Sequence, residues 1–396
     1  MDWKTQHEGY DWRKIKQSQD FGVNKGKDQL YSTYNMKIGI IAHLKHPIKT
    51  PFAGGLEVFT HQITTLLVEQ GHEVLLFASS KSDETLPVHA ILSDDDYDED
   101  SGFRIKRKDL PSEYIAEHHA YFKLMNSIDD FGFDVIFNNS LHYIPITMAN
   151  TIKTPMLTVL HTPPFYELGL AIQAERKHPV INYVTVSEQS AINWKHLIES
   201  CPVIPNGIMI DDWTSSLHPN EECYAVWFGR IHPDKGLHFA IEACKKAGIK
   251  LKVAGGIADR DYHRHKILPL VDENVEFLGL LNQKELNKLI CGARVCVITP
   301  CWQEPFGLVV AEAMACGTPI AGFKMGALPE LIDEFSGILV DFKDSTALAE
   351  AINKSQLLDR KKVAAAAQQY DIKKMTARYE QLLEQVANKQ MAMTAS

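Results

Sequence analysis

The sequence predicts two tandem α/β domains, each a doubly wound parallel sheet, facing one another across a cleft. Three observations carry that reading. The length, 396 residues, suits two domains at about 150 residues each. Short apolar runs alternate with helix-period segments twice over, once in 36–205 and again in 223–370. Between them, 206–222 is polar and aperiodic, and reads as an interdomain connection.

Residues 1–35 carry six Lys/Arg against five Asp/Glu and no apolar periodicity, and they read as an extension. The first strand is MKIGIIAHL, from Met36. A loop with Gly and Pro leads into LEVFTHQITTLLVEQG, apolar at helical spacing and stopped at Gly71. EVLLFAS follows as a strand, so the chain opens with a βαβ unit. Residues 80–112 read as a polar loop, and 133–139, 155–161, 183–187 and 201–207 as further strands.

The second alternation has strands at 224–230, 249–256, 274–281, 294–300 and 318–323, with helices at 235–248, 283–293 and 306–317 between them. The stretch 343–390 reads as helical, and 371–396 as a separate final helix.

Hydrophobic residues at 45% and charged residues at 23% exclude a disordered, collagen-like or coiled-coil chain. The net charge of −9 argues against a nucleic-acid partner. No apolar run reaches the ~20 residues that span a bilayer. Seven scattered cysteines without CxxC, and no secretory apolar segment, give a reduced, cytoplasmic expectation.

The run Asp94, Asp95, Asp96, Asp98, Glu99, Asp100 holds DxD spacing in a polar loop and reads as solvated rather than metal-binding. Seventeen histidines show no metal-ligand spacing, so no metal is expected. The cluster Arg104, Lys106, Arg107, Lys108 reads as a solvated face, and the pairs Phe165–Tyr166 and Tyr121–Phe122 as core packing.

Chemistry concentrates in two loops at the ligand edge of the second domain. In AVWFGRIHPDKG a strand ends and Arg230 and Lys235 follow before a helix. Two cations beside a helix N-terminus make an anion site, and a diphosphate is its natural guest. In TPCWQEPFGLVVAEAMACGTP, Pro305 falls at the expected helix start. Phe306, Gly307 and Leu308 there can present backbone N–H groups to a phosphate. Glu304 precedes that helix, and Glu312 lies two turns inside it among apolar residues. A carboxylate so placed is costly unless bonded, and vicinal hydroxyls of a ribose or sugar are apt partners.

The spacing EPFGLVVAE, with Glu304 and Glu312 separated by seven residues, and the upstream GRIHPDKG resemble retaining glycosyltransferases of family 4, which have the GT-B fold. The resemblance spans about 36–385 and includes Gly54, Gly55, Leu56, Glu57 and the segment VIPNGI. It implies a hexosyltransferase using a nucleoside-diphosphate sugar, UDP-glucose ahead of GDP-mannose, with no metal or other cofactor.

By the same resemblance Arg230 and Lys235 hold the donor diphosphate, Glu304 the transferred sugar and Glu312 the ribose. The N–H groups of Phe306, Gly307 and Leu308 cradle the distal phosphate, and Gly54 and Gly55 approach it from the first domain. His161 points into the cleft near the sugar, and the base lies near Gly256 and Leu281. Glu304 is also a candidate nucleophile, but front-face attack by the acceptor is the expected mechanism.

The acceptor stays open among a lipid-linked sugar, a polysaccharide and a small metabolite, with peripheral contact at the inner membrane face part of the expectation. A GT-B nucleotide-sugar epimerase or a non-catalytic nucleotide-sugar binder is the alternative. The final helix resembles one that crosses back to the first domain.

Overall fold

The computed structural model describes residues 35–93 and 112–394. The N-terminal sheet contains β1 (Lys37–Ala42), β2 (Glu73–Ser79), β3 (Val88–Leu92), β4 (Val135–Asn139), β5 (Met156–Leu160) and β6 (Ile181–Thr185). Its order is β3-β2-β1-β4-β5-β6, with parallel pairing throughout.

The C-terminal sheet contains β7 (Tyr224–Phe228), β8 (Lys250–Ala254), β9 (Val275–Gly279), β10 (Val295–Ile298), β11 (Ile320–Phe323) and β12 (Gly337–Val340). It repeats the arrangement as β12-β11-β10-β7-β8-β9. In each sheet the winding reverses beside its first strand, between β1 and β4 and between β7 and β10. Loops leaving those strands border the crevice where doubly wound sheets bind ligands.

The helices of the first half are α1 (Gly55–Glu69), α2 (Ser112–Ser127), α3 (Tyr143–Thr147), α4 (Tyr166–Glu175) and α5 (Glu188–Trp194). The second half carries α6 (Leu237–Ala247), α7 (Gln283–Gly292), α8 (Leu308–Ala315), α9 (Leu328–Leu331), α10 (Ser345–Ser355) and α11 (Arg360–Ala367), and α12 (Ile372–Thr394) follows. Central strands are buried on both faces, which is why β1, β5 and β7 read as largely apolar runs and β4 as an apolar start closed by the buried Asn138 and Asn139. Among the described residues no helix is long and apolar enough to cross a membrane.

Two local expectations are overturned. The stretch 201–207 is not a strand: Pro202 and Pro205 remove ladder donors, and only an isolated bridge joins Val203 to Thr185. The polar stretch 80–112 contains β3, VHAIL, an edge strand that pairs with β2 alone and is a five-residue apolar run inside polar flanks. Residues 1–34, the acidic run at 94–100 and the basic cluster at 104–108 lie outside the described residues.

The chain crosses between the halves twice, and the crossings pair. Ile208 N–H donates to the Tyr370 carbonyl at 2.8 Å, and Ile372 N–H donates back to the Ile208 carbonyl at 2.9 Å. After the second crossing α12 lies on the N-terminal half. Its stripe Ile372, Met375, Tyr379, Leu383 and Val386 is buried at helical spacing. The Tyr379 ring meets Phe59 of α1 at 5.6 Å and Phe137 of β4 at 5.3 Å.

A buried pair pins α12 further. His72 Nδ1 accepts the Met36 N–H at 3.1 Å, which puts the imidazole proton on Nε2, 3.0 Å from Glu380 Oε1. Glu330 of α9 reaches across the cleft, accepting the N–H groups of Glu188 and Gln189 at 2.8 and 2.7 Å. It thereby caps the N-terminus of α5 from the opposite half.

Removing one member of a buried pair strands the other. His72→Ala is therefore expected to lower the unfolding free energy by about 3 kcal/mol, read by urea denaturation, with fluorescence reporting release of α12.

Candidate active site

The β7–α6 and β10–α8 loops meet at the ligand edge of the C-terminal half. The Cys301 N–H donates to the Asp234 carbonyl at 2.6 Å. The Thr299 hydroxyl lies 3.0 Å from each of the carbonyl oxygens of Lys235 and Gly236, and it accepts the Trp227 indole N–H at 3.3 Å. These bonds hold Lys235 beside the second loop.

As a result Lys235 Nζ donates to Glu304 Oε2 at 2.6 Å. The Trp302 indole N–H donates to the same oxygen at 2.9 Å, and the ammonium sits 5.7 Å from the Trp302 ring centroid. With two donors on one oxygen, Oε1 is left to a ligand. Sequence reading missed Trp302. Its only signal is an indole two residues before Glu304, in a loop leaving a strand at the ligand edge.

Helix α8 starts later than expected. Its first residue is Leu308, and Gly307 is the N-cap with φ +99°, a conformation that favours glycine. Pro305 therefore lies outside the helix. Phe306 is buried, its ring 5.6 Å from that of Tyr370. In the first turn of α8 the Val310 N–H donates to the Gly307 carbonyl at 2.9 Å, while the Leu308 and Val309 N–H groups precede any intrahelical acceptor and open on the same edge as Lys235 and Glu304. Lys235, Glu304 and Gly307 line a cavity of about 40 Å³ there.

Glu312 is embedded among apolar atoms although part of the residue reaches solvent, and burial pushes its carboxyl up to about 7. Among the described residues nothing hydrogen-bonds that carboxyl. It is a group waiting for donors such as hydroxyls.

The N-terminal half comes close at one point. A Cβ on Gly55 would stand 3.0 Å from Leu308 Cδ1, so the starts of α1 and α8 face one another. Gly54 is extended, with φ −169°. Glu57, three residues on, is buried in the first turn of α1 with Oε1 3.1 Å from His43 Nε2. Burial pulls the Glu57 pKa up, but the imidazole of His43 beside it outweighs burial and holds the carboxyl below its ordinary value. His43 and Glu57 also escaped the expected site.

His161 follows β5 and is buried, with Nε2 2.8 Å from Asn139 Oδ1 and its ring 4.7 Å from Phe59. Burial, with a smaller push from His43, holds its pKa down to about 3, so the imidazole is neutral. Gly256 and Leu281 lie just beyond β8 and β9. The Gly256 carbonyl accepts the Ile231 N–H at 2.8 Å, and Leu281 is half-buried against the main apolar cluster.

Lys235, Glu304, Gly307, Leu308 and Gly55 are thus brought together. Arg230 is at the same edge but does not join the Lys235–Glu304 cluster. It is exposed, it makes no hydrogen bond or ion pair among the described residues, and its charge acts across the cleft on His46. Two facing doubly wound domains with a cation, a carboxylate and a helix start at the crevice define a GT-B-type transferase.

Comparison with known proteins agrees. Residues 53–212 match the model for Glycosyltransferase Family 4 and residues 211–374 that for Glycosyl transferases group 1. An uncharacterized glycosyltransferase of Methanocaldococcus jannaschii is 37% identical over 215 residues, 53% of this chain and 50% of that protein. The D-inositol 3-phosphate glycosyltransferase of Mycolicibacterium smegmatis is 24% identical, covering 79% of this chain and 80% of that one.

Among solved structures, sucrose-phosphate synthase from Thermosynechococcus elongatus superposes with TM-score 0.69 at 21% identity, covering 91% of this chain and all (100%) of the other. Anabaena HepE in complex with UDP-glucose gives 0.66 at 20% identity, covering 90% and 100%. The chain belongs to the group 1 glycosyltransferases of family 4 type, and it is a transferase of GT-B fold.

Trp302→Phe keeps the ring and deletes the N–H that orients Glu304. Hydrogen bonds to charged groups are worth about 1.5–3 kcal/mol, so transfer is expected to slow at least about tenfold with the melting temperature unchanged. For Glu312, ribose hydroxyls favour the ionised form, whereas the free protein holds a proton below about pH 7. Nucleotide affinity should therefore weaken as pH falls below about 7, by up to about tenfold per unit. Calorimetric titration of UDP against wild type and Glu312→Gln isolates this dependence, since the Gln variant keeps only that of the nucleotide itself.

Proposed function

We propose that the protein transfers a hexose from a nucleoside-diphosphate sugar to an acceptor hydroxyl with retention of anomeric configuration, and without a metal. UDP-glucose is the first donor to test and GDP-mannose the second. The observation that carries the reading is the Lys235–Glu304 contact beside the start of α8, which sets a cation, helix N–H groups and a sugar-binding carboxylate within one pocket. The similar fold of Anabaena HepE, solved in complex with UDP and with UDP-glucose, supports the donor class.

Cleavage at the anomeric carbon builds negative charge on the departing diphosphate. Lys235, the α8 N–H groups and Arg230 swinging in from the rim stabilise it. Until the donor arrives, Glu304 occupies Lys235. The incoming phosphate shares that ammonium while Trp302 keeps the carboxylate aimed at the sugar hydroxyls. The Glu312 carboxylate takes the ribose diol. His161, neutral and fixed by Asn139, offers hydrogen bonding to the sugar without adding charge.

Glu304, held at Oε2 by Lys235 and Trp302, serves the sugar hydroxyls rather than acting as nucleophile, and attack is from the front face. The bond from the acceptor oxygen to the anomeric carbon forms as the carbon–phosphate-oxygen bond breaks, and the acceptor proton passes to that departing oxygen.

Lys235→Ala and Arg230→Ala are each expected to lower kcat/KM by at least ~100-fold, about 3 kcal/mol of transition-state stabilisation. Glu304→Ala should reduce kcat far more than UDP affinity. Assays of nucleotide release, with NMR of the product anomer, check both rate and retention. Full turnover by Lys235→Ala would end the assignment of this pocket.

A further inference from the structure

The carboxylate of Glu330 accepts the Glu188 and Gln189 N–H groups from 142 and 141 residues away, one oxygen to each. Helix α5 does not depend on these bonds. Ser187, its N-cap, already accepts the Ser190 N–H at 3.0 Å. Glu188 and Glu330 are exposed, so water would serve both N–H groups if the carboxylate left. What the bonds do is tie the second half to the ligand edge of the first, where α5 follows β6.

The other end of the same turn belongs to the donor pocket. Gly326 lies so close to Glu304 that a Cβ there would collide with the Glu304 backbone nitrogen and carbonyl oxygen. The Ala327 N–H donates to that carbonyl at 2.9 Å. Leu328 is buried and lines the cavity with Lys235, Glu304 and Gly307. The Glu330 N–H closes the turn on the Ala327 carbonyl at 3.0 Å. The segment 326–330 thus runs without slack from the backbone of Glu304 to the first half.

The halves also touch at Gly55 and Leu308, but an apolar contact is non-directional and tolerates sliding. Two hydrogen bonds on one carboxylate fix distance and orientation together. In the transfer reading of the cleft the donor sugar is held from both halves, by Glu304 and by His161. Its grip then depends on the register between them, and a misplacement of ~1 Å can cost about 100-fold in rate. The diphosphate and ribose are met by Lys235, α8 and Glu312, all of the second half.

We propose that Glu330 is a positioning residue for transfer: by holding Glu188 and Gln189 it sets the second half against the first, and through Gly326 and Ala327 it fixes the Glu304 backbone in the register that grips the donor sugar. The proposal rests on the donor reading of the cleft and adds to it the group that aligns the two halves on the sugar.

Two variants break the contact from opposite sides. Glu330→Ala removes the acceptor. Glu188→Pro removes one donor at the first helical position, where proline is tolerated, after Ser187, whose backbone is already extended. Calorimetry on the full chain compares UDP-glucose with UDP, and GDP-mannose with GDP. Each variant is expected to lower the affinity for the nucleotide sugar relative to its nucleotide at least about fivefold, with nucleotide affinity itself changed less than about twofold. The double variant is expected to lose no more than the worse single one. Glu330→Gln, which keeps one acceptor oxygen, should fall between wild type and Glu330→Ala.

Amide exchange supplies a readout that needs no ligand. In Glu188→Pro, whose second half is unaltered, the Ala327 amide is expected to exchange at least about tenfold faster. A simple cap of α5 would loosen 187–194 alone. An unchanged sugar-to-nucleotide ratio, an equal loss of both ligands, additive losses in the double variant, or an Ala327 amide indifferent to Glu188→Pro would overturn the proposal. A chain that binds neither nucleotide sugar would strike the donor reading instead, and the Ala327 exchange would still decide whether Glu330 couples the halves.

Discussion

Lys235 and Glu304 are 69 residues apart in the chain and 2.6 Å apart in space, and the chemistry of the cleft depends on that closeness. An ion pair of two flexible side chains is weak at a surface, because holding both in one geometry costs side-chain entropy. Here the cost is met before the side chains are considered. Thr299 and Cys301 bond the backbone of one loop to the other, so the two Cα positions are set by the strands β7 and β10 and not by the pair itself. Trp302 then restricts the carboxylate from its other side. What results is a lysine and a carboxylate fixed in place before any ligand enters, the kind of preorganisation that limits reorganisation when charge develops.

The second constraint is the meeting of the two halves. Gly55 allows α1 to come against Leu308, and Glu330 caps α5 from the far side of the cleft. The crossing strands pair through Ile208, and α12 returns to seal Phe59 and Phe137. A single buried apolar cluster runs through β1, the crossing segment, α8 and α12, so the two halves share a core. Glu57 already occupies the first turn of α1.

Much of the architecture was legible from residues alone, and for definite reasons. Central parallel strands are buried on both faces, so β1, β5, β7 and β10 announce themselves as apolar runs and β4 as an apolar start. The capping box of Asn282 and Glu285 and the stop at Gly71 mark helix ends by local chemistry. Of the four edge strands, β6 and β9 were read and β3 and β12 escaped, both lying between polar flanks and only partly covered. The stretch 201–207 was apolar enough to resemble a strand, but its prolines withhold the donors that a ladder requires.

For the site, the sequence by itself determined which residue types stand at the strand ends: the cations after β7, the two glutamates flanking the α8 start, and the glycines where backbone must come close. Those follow from local order along the chain. Only the tertiary structure decided their company. It placed Trp302 on Glu304, left Arg230 at the rim, paired His43 with Glu57 and buried the His142 Nε2 without a partner among the described residues. Such relations depend on loops from non-adjacent strands converging at a switch point, and on burial that alters the charge of a group. Neither is written in the spacing of residues along one segment.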